Sequence, residues 1–195
     1  MSQSMRQVAR RVFAREFNAA TYTFSESDDE YAPVYALLPT GQRLNRAFIV
    51  GTLTETEEIG DEQEYWRGRI LEPTGTVYAY AGEYQPEAAA TLRQLTPPAH
   101  VAVLGKPRTY ETDDGGTNVS LRAETISHVE QDVRKRWIVE TARQTLDRIR
   151  AFEEGEEPDV IRAHDIYGDD IDLYLDAVIA ALEELDIEDA PEMPS

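Results

Sequence analysis

Apolar and polar positions alternate with period two along YWRGRILEPTGTVYAYAGEY, Tyr65 to Tyr84. In the first half Trp66 and Ile70 fall on one side, Arg67 and Arg69 on the other. In the second half Val77 and Ala79 alternate with Tyr78 and Tyr80, after the break Glu72-Pro73-Thr74-Gly75. Alternation bounded by Pro and Gly predicts a β-hairpin with one buried face. With Trp66, Ile70, Val77 and Ala79 inward, the outer face carries two arginines beside two tyrosines.

The same reading places the other elements. Gln3 to Phe17 has helical spacing, with Met5, Val8, Val12 and Phe13 in an apolar stripe and Arg6, Arg10, Arg11 and Arg15 elsewhere. That basic face is either simply solvated or available to phosphates. Asn18 to Pro33 reads as a loop with an acidic centre, and Val34 to Pro39 as a short strand. Arg43 to Glu55 is a strand in which Gly51 predicts a bulge or sharp bend. Thr56 to Glu62 is an acidic loop, and Pro86 to Leu95 a helix with Pro in its first turn. His100 to Lys106 and Asn118 to Thr125 are two more strands, around the turn Asp113-Asp114-Gly115-Gly116.

Val129 to Phe152 returns to helical spacing, with Val133, Trp137, Val139, Ala142, Leu146 and Ile149 on one broad stripe. Trp137 reads as a packing anchor rather than a base-stacking ring. Glu153 to Asp159 is an acidic linker. Asp170 to Leu185 is a last acidic helix, with Ile171, Tyr174, Leu175, Val178, Ile179 and Leu182 inward, and the final ten residues are expected to be disordered.

Three strands, a short helix and two strands, the first strand long and bent, is the order of an oligonucleotide/oligosaccharide-binding (OB) barrel. The predicted fold is therefore mainly β with flanking helices. It divides into an N-terminal helix and loop (1–42), a five-stranded OB barrel (43–128), a basic helix (129–152), and an acidic linker, helix and tail (153–195). Phe48, Val50, Leu53, Trp66, Ile70, Val77, Val101, Val103, Val119 and Leu121 are the expected filling.

Charge complicates a polyanionic partner: 19 basic against 38 acidic residues leave a net charge of −19. The acidity is uneven, however. Glu153 to Ser195 holds 16 acids and one base, whereas Arg43 to His128 holds 13 acids and 8 bases. Lys106 and Lys135 are the only lysines, and cysteine is absent. An acid-rich, lysine-poor chain suggests adaptation to molar salt, where the Debye length is about 3 Å and global repulsion from DNA is largely screened. The absence of cysteine removes disulfides, thiolate catalysis and Cys-ligated zinc. With no long apolar run and no secretory-signal pattern in MSQSMRQVARRVFAREF, a cytoplasmic protein without membrane contact is expected.

Guanidiniums attract phosphates and phenol rings offer surfaces on which unpaired bases stack. The candidate nucleic-acid-binding residues are Arg67, Arg69, Tyr78, Tyr80 and Tyr84, with Lys106, Arg108 and Arg122 on the later strands. The alternative is that the tyrosines are there because aromatics favour strands. His164 and Asp165 with Asp169, Asp170 and Asp172 read as a solvated linker and helix start rather than a metal cluster. No nucleophile stands at a fixed spacing from a histidine and no Gly-rich phosphate loop occurs, so the reading is a non-enzyme without metal or cofactor.

Trp66-Arg67-Gly68-Arg69, Pro73-Thr74-Gly75-Thr76, Tyr78-Ala79-Tyr80-Ala81-Gly82 and Tyr84-Gln85-Pro86-Glu87-Ala88 resemble the OB core of archaeal replication protein A. Val103 to Tyr110 and Asn118 to Arg122 match in the same register. With Arg10-Arg11-Val12-Phe13-Ala14, the chain resembles the replication-protein-A-associated proteins of salt-loving archaea. That resemblance implies single-stranded DNA binding in replication and repair, in a hetero-oligomer with a replication protein A subunit. The alternative is a docking subunit whose partner holds the DNA. The acidic tail could also occupy a basic groove when DNA is absent.

Overall fold

The computed structural model describes residues 8–189. The elements are β1 (Ala9–Arg11), α1 (Ala14–Ala19), β2 (Thr23–Phe24), β3 (Tyr35–Leu37), β4 (Arg43–Leu44), β5 (Arg46–Glu58), β6 (Tyr65–Glu72), β7 (Gly75–Gly82), α2 (Pro86–Gln94), β8 (Ala99–Glu111), β9 (Thr117–His128), α3 (Gln131–Glu154), α4 (Pro158–Tyr167) and α5 (Asp172–Asp189). Strands pair in the order β5-β6-β7-β9-β8, and β8 returns to β5, so the barrel closes. All contacts are antiparallel except β7 with β9. Closure pairs the five barrel strands with one another, and β1 adds a short edge strand beside β5. A small antiparallel sheet, β2-β3-β4, stands apart from the barrel.

The hairpin forms in the expected register, with Ile70 opposite Val77 and Arg67 opposite Tyr80. Val50, Leu53, Ile70, Val77, Val101, Val103, Val119 and Leu121 are all buried. Phe48 and Trp66 are only half-buried. The inward positions of β5 are Ala47 and Ile49. Trp66, on the inward parity of β6, sits near the strand's start with its Nε1 donating to the exposed Glu64 Oε1 at 2.8 Å. Phe48 instead faces outward beneath the Arg11 guanidinium, 5.2 Å from its ring centroid. Gly51 is not a bulge. Its added Cβ would lie 2.6 Å from the Leu71 carbonyl oxygen, so it marks a close crossing, and the register shift falls between Leu53 and Glu55. The expected loop at Thr56 to Glu62 begins late, since β5 runs on to Glu58 to match the full length of β6.

The helix expected over Gln3 to Phe17 is corrected within the described residues; Gln3 to Gln7 lie outside them. Ala9–Arg11 is a strand, parallel to β5 at Arg46–Phe48. β6 pairs with β5 only from Thr52 onward, and β1 takes the edge left open before it. Backbone groups on such an edge demand partners, and that demand outweighs weak helix propensity. Helix α1 keeps only the end of the predicted span, with Phe17 buried.

Helix α3 lies against β1 and β5, and α5 lies against α3. Trp137 is the anchor: 2% exposed, its Nε1 donating to the Phe48 carbonyl at 2.9 Å and its ring edge-on to Phe13. Val133 and Val139, expected inward, are exposed, while Thr141, Thr145 and Arg148 are buried. Arg148 is tolerated there because Nη2 meets Glu16 Oε1 at 2.6 Å and Nε meets Thr40 Oγ1 at 3.1 Å. On α5 the buried face is Tyr174, Ala177, Val178, Ala181 and Leu185; Leu175, Ile179 and Leu182, expected inward, face solvent. Small alanines let two helix backbones approach closely. The expected linker contains the end of α3 and the start of α4, a helix not anticipated from the sequence. Among the described residues no helix is long and apolar enough to cross a membrane.

Candidate nucleic-acid interface

The outward side chains of β6, β7, β9 and β8 form one continuous face. Arg67 sits opposite Tyr80 and Arg69 opposite Tyr78. Tyr80 is level with Arg122 across the parallel contact, and Arg122 is level with Lys106 on β8. A register shift between Leu104 and Gly105 sets that last pairing. A Cβ at Gly105 would lie 2.3 Å from the Arg122 carbonyl oxygen, so only glycine lets β8 press this closely on β9.

Two clefts open on this face. The first, of about 450 Å³, is walled by Tyr65, Tyr80, Tyr110, Arg108, Ser120 and Arg122. Tyr65 and Tyr80 stack at 5.8 Å between centroids. Burial first, and Tyr110 second, push the Tyr80 phenol above its ordinary value, so it stays neutral. The second cleft, of about 370 Å³, has Arg46, Tyr84, Pro86, Lys106, Arg122 and Glu124 in its wall. Tyr84 projects there with 85% of its surface exposed. Arg46 is paired with Glu124 at 2.8 Å. Among the described residues no ion pair engages Lys106, Arg108 or Arg122.

Of the residues singled out from the sequence, Tyr80, Arg108 and Arg122 meet in the first cleft, and Tyr84, Lys106 and Arg122 in the second. Arg67, Arg69 and Tyr78 lie beside them and are engaged within the chain. Arg67 bonds Glu57 and covers the Tyr78 ring at 5.6 Å. Burial alone would lower the Arg67 guanidinium, but Tyr80 and Glu57 outweigh it and raise it. Arg69 Nη1 donates to Thr54 Oγ1 at 3.3 Å. Tyr65, Tyr110 and Arg46 were not among the candidates. The signal for the first two was available: each extends the period-two alternation by one step, from Arg67 back to Tyr65 and from Arg108 on to Tyr110.

Helices α3 and α5 pack on the β1–β5 side, and among the described residues the walls of the two clefts include none from α1, α3, α4 or α5. Planar rings beside unpaired cations in an open cleft can stack bases and neutralise phosphates. The Asp-rich stretch after α4 is arranged differently. His164 Nε2 lies 2.5 Å from Asp169 Oδ1 and its ring stacks on Phe152, and among the described residues no group of three or more His, Asp or Glu side chains could hold a metal ion.

No family model and no curated protein sequence matches the chain. Solved structures do. A chain of a replication protein A heterotrimer bound to single-stranded DNA is similar at a TM-score of 0.51 and 12% identity, over 73% of this chain and 98% of that one. The second single-stranded-DNA-binding protein of Mycobacterium smegmatis is similar at 0.37 and 18% identity, over 43% of this chain and 84% of that one. Yeast Stn1 and Ten1 give 0.40 and 10% identity, over 54% and 55%. The closed strand order described above and the first of these similarities agree on one fold, and the chain is an OB-fold protein with helices before and after the barrel in sequence.

Proposed function

We propose that this chain binds single-stranded DNA on the face formed by β6, β7, β9 and β8, as a subunit working with a replication protein A partner in replication or repair. One observation carries the reading: three tyrosines, Tyr65, Tyr80 and Tyr110, wall an open cleft together with the unpaired Arg108 and Arg122. A barrel that needed tyrosines only for strand propensity would not gather them with unpaired cations at one opening. The resemblance in sequence supports the same ligand and supplies the partner. The protein has no catalytic role in this reading.

The test uses the full chain and a fluorescein-labelled oligonucleotide in single-stranded and duplex form, followed by anisotropy. Single-stranded DNA should bind and duplex should not. Tyr80→Ala with Tyr110→Ala should weaken binding at least tenfold, since each stacked base contributes about 1–3 kcal/mol, with circular dichroism unchanged. Equal affinity of the double variant would remove the tyrosines from the site.

A second reading, a docking subunit with little DNA affinity of its own, is favoured by one observation. Leu175, Ile179 and Leu182 repeat at helical spacing on α5 and are 37%, 47% and 37% exposed. Binding that appears only after the partner subunit is added would support this reading against the first.

A further inference from the structure

Resting on the reading of this face as a single-strand binder, we infer that the oligonucleotide follows a bent path with two base positions. One nucleotide lies in the tyrosine cleft, the next lies in the basic cleft beside the start of α2, and Arg122 holds the phosphodiester between them.

Arg122 is in the wall of both clefts, and by register it lies between Tyr80 on β7 and Lys106 on β8. It is not paired within the described chain, so its charge is free for a phosphate. The tyrosine cleft contains two guanidiniums and no carboxylate in its wall. In the basic cleft Arg46 already shares its charge with Glu124, and Glu87 is a second carboxylate in the wall, so Lys106 and Arg122 set against Glu87 leave the wall net positive for a phosphate. The exposed Tyr84 ring is the base plate of that second position.

The other way out is closed by charge. A third cleft, of about 670 Å³, shares Tyr65 with the first and Tyr84 with the second, and its wall contains Asp61, Glu62 and Glu83, with Glu64 there already paired to Arg93. An oligonucleotide leaving over the loop between β5 and β6 would bring its phosphates against these carboxylates. At molar salt a Debye length of about 3 Å screens distant charge, but groups in contact still repel or attract. The local signs therefore choose the exit even where net charge does not. The ligand is two consecutive nucleotides of an unpaired strand, with bases splayed to either side of Arg122.

The test is anisotropy of fluorescein-labelled dT12 with the full chain at fixed salt, combined with amide chemical-shift mapping on ¹⁵N-labelled protein. Arg122→Gln and Lys106→Gln should each weaken binding about tenfold, the worth of one charge-assisted hydrogen bond. Tyr84→Ala should weaken it by a similar factor, while Arg143→Gln on the exposed side of α3 should not. Amides around Tyr80, Arg122, Lys106 and Tyr84 should shift and those of residues 61–64 should stay. If dT12 binds and depends on Tyr80 and Tyr110, yet Lys106→Gln and Tyr84→Ala match the unaltered chain, the bent path is overturned and the binding function stands. Shifts concentrated at residues 61–64 would overturn the path equally. Failure of the unaltered chain to bind dT12 would overturn both.

Discussion

Glu72, at the end of β6, has a carboxyl that burial pushes up to about 7. Thr74 partly opposes this, donating to Oε1 from its backbone N–H at 2.7 Å and from its hydroxyl at 2.5 Å. The Ala14 and Gly75 backbone N–H groups oppose it as well, although among the described residues Oε2 is buried without a well-formed hydrogen bond. A carboxyl whose folded value lies above its ordinary 4.5 binds its proton more tightly when folded. Its stabilising contribution is complete below 4.5, and it is lost as pH rises through about 7. Glu72→Gln should therefore match the unaltered chain near pH 4.5 and exceed it at pH 8, by on the order of 2–3 kcal/mol. Denaturant titrations at the two pH values measure this; a difference that does not change with pH would refute it. The buried pair Arg148–Glu16 gives a second case, with 6% and 2% side-chain exposure. Arg148→Ala leaves the Glu16 charge uncompensated and should cost about 3–5 kcal/mol, whereas the apolar double variant Arg148→Met with Glu16→Leu should recover most of it. Neither role was legible beforehand. In the sequence Glu72 is one polar residue near a turn and Arg148 one cation on a basic helix; the long-range contacts that bury them leave no local trace.

At the level of elements, short-range pattern was a good guide wherever one face of a strand is buried. The hairpin and the strands β8 and β9 followed from period-two alternation and from Pro and Gly breaks, α2 from the Pro in its first turn, and the closed barrel from the order of these elements. What failed was decided by tertiary pairing. The apolar stripe of residues 8–17 fits a helix, but the vacant edge of β5 takes Ala9–Arg11 as a strand. On α3 and α5 the stripes were set by apolar residues, while the buried faces include paired polar groups and alanines; Val139 and Ile179 were displaced outward as a result. The candidate face was legible in its parity but not in its membership. Alternation identifies which residues point out, and only the register shift at Gly105 decides that Lys106, Arg122 and Tyr80 come level. Trp137 tests the helical addition directly. Trp137→Phe removes the donor to the Phe48 carbonyl and shortens the ring against Phe13. The loss should be about 1–3 kcal/mol, read as a lowered thermal midpoint. An unchanged midpoint would mean that α3 is held to the barrel by other contacts.

For the whole molecule, a net charge of −19 and a locally cationic face pull the salt dependence of binding in opposite directions. At low salt the Debye length is about 10 Å at 0.1 M, and carboxylates far from the clefts repel an incoming polyanion. Raising the salt removes that repulsion first, because it acts over the longer distances. The same ions compete for phosphates at Lys106, Arg108 and Arg122. If all three neutralise phosphates, the limiting slope of log affinity against log salt is about −2 for a single strand. In the proposed binding mode, stacking on Tyr65, Tyr80 and Tyr110 would have no counterion term and would persist throughout. Affinity for labelled dT12 should thus rise from 0.05 M to an intermediate salt concentration, pass a maximum, and decline with a slope no steeper than about −2 up to 2 M. Anisotropy titrations across that range decide the matter. A steep decline from the lowest salt onward would mean that phosphate contacts outnumber the three free cations and dominate the tyrosines. A rise with no later decline would mean that the clefts engage no phosphate, leaving the rings alone to hold the bases.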